Sequence, residues 1–217
     1  MNILQNLDPV RVIGILLGVI IGTTIHEFMH AYTAVALGDE SPRRMGRITL
    51  NPAAHFDPIG FFMFLLLALG IGFFAWGRPV MVNPSALRYG RRGYALVAMA
   101  GPVSNLVVGA LFALPFRLNL AAQFPPVVME LFGWIMFANF LLFVFNLIPI
   151  PPLDGFSVLS GAVSNYWSLL LEPLRRYGFA LLLALLFLPT FLNIDLLGRM
   201  INPIFAVLES VFAGGQV

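Results

Sequence analysis

The sequence predicts an all-α polytopic membrane protein, with three core helices, accessory helices around them, and a small β element and a re-entrant segment between the first and second core helices. Composition is the first reason. Of 217 residues, 59% are hydrophobic and only 10% charged, and mean hydropathy is +0.91, far from the balance of a soluble domain. The second is that the apolar residues fall in runs long enough to cross a hydrocarbon core of about 30 Å. The third is the absence of any polar stretch long enough for another core, which predicts one membrane-embedded domain over 1–217. Zero cysteines exclude disulfides and thiolate ligands, so a metal site here must use His and carboxylates. The net charge of +2 comes from twelve arginines and no lysine, without a basic cluster dense enough for nucleic acid.

The first element spans about 10–36. Met1 to Arg11 ahead of an apolar run resembles a secretory leader, but the run continues past residue 26 with no small-residue cleavage pattern, so a retained helix is expected. Gly14, Gly18, Gly22, His26 and His30 recur every fourth residue, a row that winds slowly round the helix and lets another backbone approach closely. From Gly38 to Tyr94 the chain is mixed and holds Pro42, Pro52, Pro58, Pro79 and Pro84. Short strands at Arg47–Leu50 and Arg78–Val82, forming a small surface sheet, are the expectation there, with an apolar stretch at 59–76 between them. Further apolar helices are expected at 94–114, 128–148 and 178–193, and another apolar stretch at 200–213.

One pentapeptide dominates the chemistry: His26-Glu27-Phe28-Met29-His30. Residues four apart share a helix face, so both imidazoles can reach one Zn²⁺ while Glu27 points beside them at water. Two His and a Glu inside an apolar run are costly unless used or paired. The competing reading is a pair of hydrogen-bonded buried histidines. A catalytic zinc needs a third protein ligand and an open position. The candidate is Asp154, in Asn146-Leu147-Ile148-Pro149-Ile150-Pro151-Pro152-Leu153-Asp154-Gly155, where prolines end a helix and Gly155 allows a sharp turn back. In isolation, a helix cap would explain Asp154 equally well. Asn146 and Asn105 are candidate donors to substrate or a developing oxyanion, because an amide in an apolar helix must find partners. Ordinary cross-helix bonding competes, especially for Asn105, which lies between Gly101 and Gly109. His55 and Asp57 sit in a loop and read first as a turn device, near the mouth of the site.

The pentapeptide, Gly101-Pro102-Val103-Ser104-Asn105, and the Asn146–Gly155 segment, in this order on three apolar helices, resemble the site-2 protease family of intramembrane zinc metalloproteases. Asn51-Pro52-Ala53-Ala54-His55-Phe56-Asp57-Pro58-Ile59-Gly60 looks like that of the small bacterial and archaeal members. The resemblance covers about 10–165, the catalytic core, and leaves 166–217 as accessory helices; no PDZ module is expected, in contrast to the larger members, and the apolar stretch at 59–76 is an addition. It implies that His26, His30 and Asp154 bind zinc, one ion per chain, and that Glu27 is the acid/base. The implied activity is zinc-dependent hydrolysis of peptide bonds in membrane-spanning substrates, whose segment must unwind because a helix offers no free carbonyl. Two other classes use the same residues: a metal or ion transporter, and a non-catalytic membrane scaffold. Polar groups clustered toward one side argue against the first, and Glu27 between the histidines against the second.

Topology follows from charge. If 59–76 enters and leaves on one side, Arg43, Arg44, Arg47, Arg78, Arg88, Arg91, Arg92, Arg175 and Arg176 share a face, and only Arg11, Arg117 and Arg199 lie opposite. That asymmetry places 37–93 and 149–177 in the cytoplasm of a multi-pass cell-membrane protein. Counting from Val12 at about 1.5 Å per residue, His26 lies roughly 21 Å into the core, toward the cytoplasmic side. Single cysteines replacing Ser41 and Ser85 are therefore expected to react with an impermeant thiol reagent only when the cytoplasmic side is opened. One replacing Gln123 should react in intact cells. Opposite accessibility of the first two would make 59–76 a true span.

Overall fold

The computed structural model describes residues 8–69, 77–192 and 194–215. Its helices are α1 (Pro9–Ala36), α2 (Ser41–Arg44), α3 (Pro58–Ala68), α4 (Arg91–Arg117), α5 (Pro126–Asn146), α6 (Asp154–Ala162), α7 (Asn165–Phe191) and α8 (Leu196–Leu208), the last continued by a π turn at Glu209–Ala213. Among the described residues, four helical stretches are long and apolar enough to cross a membrane: Pro9–Ala36, Arg91–Arg117, Pro126–Asn146 and Leu196–Ala213. α1 starts where Asp8 accepts the Val10 amide at 2.9 Å and Pro9 occupies the first turn.

Helices α1, α4 and α5 pack on one another to form the core of the bundle. The glycine row of α1 faces α5: a Cβ at Gly18 would stand 2.7 Å from that of Ala138, and one at Gly22 would stand 2.6 Å from Asn139 Oδ1. Backbone proximity on that scale is how bilayer helices associate, since burial against lipid-like side chains offers little gain. Away from the histidines, Ala113, Met136, Phe140 and Val144 pack with Phe205 and Leu208 of α8. α6 crosses onto α4, with Gly161 against Ala95. Leu182 of α7 closes over Ile148 and Leu153, the loop that leads into Asp154.

The expected strands are absent among the described residues. Arg47–Leu50 and Arg78–Val82 are irregular, and the groups a ladder would pair are taken otherwise. The Arg78 amide donates to His55 O at 2.8 Å, and the Arg47 guanidinium donates to the carbonyls of Ala54, Arg78 and Pro79. His55 Nε2 donates to Thr49 O at 2.7 Å, and the Val80 amide is bonded to a side chain of α1. The helix expected at 178–193 starts thirteen residues earlier as α7, so 165–177 is helical. Gly101–Asn105 lies inside α4, which already begins at Arg91. Of the apolar stretch 59–76, α3 accounts for residues up to Ala68; 70–76 lie outside the described residues, and a re-entrant course is not something α3 alone displays.

Sequence reading overlooked Asp39, fully buried just beyond α1. Its carboxylate accepts the amides of Ser41 at 2.9 Å and Asn83 at 2.7 Å, tying two distant loops together. Burial alone would raise its pKa, but the Ser41 hydroxyl, the two amides and nearby Arg44 outweigh it and hold the carboxyl below its ordinary range. A folded pKa below the unfolded one means stability that is present above the unfolded value and lost as pH falls through the folded one. Asp39→Asn is expected to cost roughly 1–3 kcal/mol near neutral pH. Thermal unfolding in detergent should show that difference shrinking below about pH 4, the unfolded value; a difference independent of pH would place the effect elsewhere.

Candidate active site

His26 and His30 lie on one face of α1, both buried, with ring centroids 4.5 Å apart and planes at 88°. Gly101 makes this possible. A Cβ there would collide with His30 Nε2 and stand 2.7 Å from His26 Cε1, so α4 presents bare backbone to the two rings.

The far side of each ring is anchored. His30 Nδ1 lies 2.8 Å from Val97 O, which can only accept, so Nδ1 carries the proton. Asn105 Nδ2 donates to Gly22 O at 3.1 Å and Asn139 Oδ1 at 3.3 Å, which turns Asn105 Oδ1 to His26 Nδ1 at 2.6 Å. Both histidines are thereby set in the tautomer that leaves Nε2 with a free lone pair. Asn139, buried in α5, holds Asn105 in turn while donating to Gly18 O and Ile135 O. Sequence reading missed Asn139, although an amide inside an apolar helix was the signal that had singled out Asn105 and Asn146.

The two Nε2 atoms are 2.9 Å apart, and Asp154 Oδ2, from the first turn of α6, lies 3.1 Å from one and 3.3 Å from the other. That oxygen is buried and has no hydrogen-bond partner. Three lone pairs aimed at one another repel unless a cation sits among them. Tetrahedral ligands at about 2.0–2.2 Å from a zinc ion are themselves about 3.3–3.6 Å apart, a few tenths of an ångström wider than the spacing found here. The donor set of two imidazoles and a carboxylate therefore fits zinc with a coordination position to spare. Gly155 lets the segment fold back, since a Cβ would run into the Leu147 carbonyl.

Glu27 stands beside this cluster, half-buried, with Oε2 accepting the Val80 amide at 3.0 Å. A cleft of about 200 Å³ joins His26, Glu27, His30 and Asp154 to Val80, Tyr94, Asn146 and Ser157. Asn146 lines it and donates Nδ2 to Leu142 O at 2.9 Å. Asn105 is not in the lining; it is fully buried behind His26. His55 is also fully buried, bonded to Thr49, and Asp57 caps α3 by accepting the amides of Ile59 at 3.0 Å and Gly60 at 2.9 Å. The structure brings neither of them to the cleft.

A multi-pass helical bundle that gathers a His/His/Asp cluster with a Glu at its side has the build of a membrane-embedded metalloprotease. Comparisons with known proteins agree. The pattern described as peptidase family M50 matches residues 115–188, the part holding Asp154. The chain is 37% identical over 177 residues to a Bacillus subtilis protein named "Putative zinc metalloprotease YwhC", covering 78% of each. It is 32% identical over 196 residues to a Mycolicibacterium smegmatis protein named "Putative zinc metalloprotease Rip2", covering 85% of this chain and 72% of that one. A Mycobacterium tuberculosis relative bearing the same name is also 32% identical, over 86% of this chain and 73% of its own. No solved structure matches. The chain belongs to peptidase family M50, the site-2 proteases, and fits the small type within it. It is a metalloprotease, and its relatives imply zinc.

Asn105→Ala removes the acceptor on His26 Nδ1 without touching a metal-facing atom. Zinc affinity in a chelator competition is expected to fall roughly 10–100-fold, as losses behind a ligating histidine do. Unchanged affinity would reduce Asn105 to a packing role.

Proposed function

We propose that this protein is an intramembrane zinc metalloendopeptidase that cuts membrane-spanning segments of other proteins. The observation that carries the reading is the convergence of His26 Nε2, His30 Nε2 and Asp154 Oδ2 within 3.3 Å of one another, in the same cleft as Glu27. These three residues hold one zinc ion per chain. Bound there, zinc would acidify water and polarise a peptide carbonyl. Glu27 then takes the proton from the attacking water and returns it to the leaving amine. With Oε2 occupied by the Val80 amide, its other oxygen is the one left for that proton. Asn146, at the cleft wall, keeps a second N–H for the developing oxyanion. The substrate segment is unwound before attack, because helical carbonyls are already bonded.

The site faces the cytoplasm in this reading, on the strength of the nine-to-three arginine distribution.

Glu27→Gln is expected to keep zinc and fold while cleavage of a membrane-spanning peptide in vesicles drops roughly 10²–10⁴-fold. Comparable cleavage by that variant would refute the mechanism, and zinc uptake into vesicles with no proteolysis by the unaltered protein would favour transport. His26→Ala, His30→Ala and Asp154→Ala should each lower zinc occupancy. Full zinc and full activity in Asp154→Ala would remove it from the ligand set.

A further inference from the structure

Arg47, a residue only 6% exposed, lies on an irregular stretch; among the described residues no carboxylate is within ion-pair distance of it, and Glu27 acts on it only as a more distant opposite charge. A buried charge is costly unless its donors are used. Here backbone alone satisfies it: Nη1 donates to Ala54 O and, at 3.3 Å, to Arg78 O, and Nη2 donates to Pro79 O at 3.4 Å. Arg78 is fastened again by its own amide on His55 O, and Asn83 by Asp39. Between those fixed points the Val80 amide donates to Glu27 Oε2 at 3.0 Å. Pro79, Val80 and Val82 line the cleft together with Val97 and Ala98.

We infer that Arg47 is a positioning residue for catalysis: by holding the Arg78 and Pro79 carbonyls it sets the Val80 amide against Glu27 and so fixes which carboxylate oxygen faces the reacting water. This rests on the reading of Glu27 as the acid/base. A planar guanidinium suits the task because its fork can hold several carbonyls in one fixed geometry. A lysine ammonium, a single flexible point, cannot span the same set. Arg47 acts through the backbone, and substrate need never touch it.

The consequence is a coupling between two residues that do not touch. Arg47→Lys loosens the clamp, and Val80→Pro deletes the amide proton while leaving the Arg78 and Pro79 carbonyls in place. Neither change touches a metal-facing atom, so zinc content should match the unaltered protein. Each single variant is expected to lower kcat for a dye-labelled peptide with one apolar span, reconstituted in phosphatidylcholine–phosphatidylglycerol vesicles, by roughly ten- to a hundredfold, the scale of a small misplacement at a reacting group. KM should stay within about twofold, since the weakened hydrogen bond serves the base and not bound substrate. The double variant should be no slower than the slower single one, the signature of two changes acting on one interaction. Losses that multiply, or a loss confined to KM, would overturn the inference. Hydrogen exchange in the Glu27→Gln background gives a readout independent of turnover: adding Arg47→Lys should speed exchange of the Val80 amide at least tenfold, with α1 and α4 unchanged. Unaltered Val80 protection would also overturn it. Accelerated exchange with no cleavage by the unaltered protein would instead leave the clamp standing and bring down the protease reading.

Discussion

Two imidazoles share one face of α1, and the opposing helix must carry no side chain where they stand. Gly101 meets that requirement, and much of the bundle follows from it. Because α4 approaches α1 so closely there, the Val97 carbonyl is within reach of His30 and the Asn105 amide within reach of His26. Val97 and Asn105 are both buried at that approach, and burial of a polar group is costly unless it is hydrogen-bonded. Asn105 is held by Gly22 O and Asn139, and Asn139 by the backbone of α1 and α5. A polar thread thus joins all three core helices. Asp154 Oδ2, buried without a hydrogen bond, stands at its end and faces the imidazole lone pairs.

A second constraint acts at the mouth. The loops between α1 and α4 have neither a sheet nor a large apolar core among their described residues to order them, so single side chains take over. Asp39 ties the end of α1 to Asn83, and Arg47 ties the Ala54 turn to Arg78 and Pro79. In each case a charged group is satisfied by backbone, which fixes chain position more rigidly than a surface ion pair between two flexible side chains can. The exposed pairs Arg43–Glu40 and Arg175–Glu172 are of the weaker kind. Glu27 belongs to the first group, since a backbone amide orients it.

Much of this was legible along the chain. Hydropathy located the long apolar helices, and four-residue spacing placed both histidines on one face, because each property belongs to a single helix. The proline-rich turn pointed to Asp154 for a similar local reason. The sheet expected at Arg47–Leu50 and Arg78–Val82 failed because extended, β-branched stretches describe a chain able to pair, and pairing also needs partners that are free. Here Arg47, His55 and Glu27 had already taken those groups. The late start assigned to α7 failed on a related point: Glu172, Arg175 and Arg176 depress hydropathy without opposing helix formation.

What the sequence by itself determined is the class: a multi-pass helical membrane protein carrying a zinc-protease signature, since composition, period and motif are properties of contiguous residues. Only the tertiary structure decided what each remaining polar residue is for. Asn105, read as a candidate substrate donor, became the anchor of His26, and His55 and Asp57 became parts of a loop away from the cleft. Asn139, Asp39 and Arg47 carried no motif at all. A hydrogen bond is defined by which atoms meet in space: Asn139 reaches Gly18 across 121 positions of chain, Asp39 reaches Asn83 across 44, and Arg47 reaches Arg78 across 31. No local pattern records such partners, and only folding brings them together.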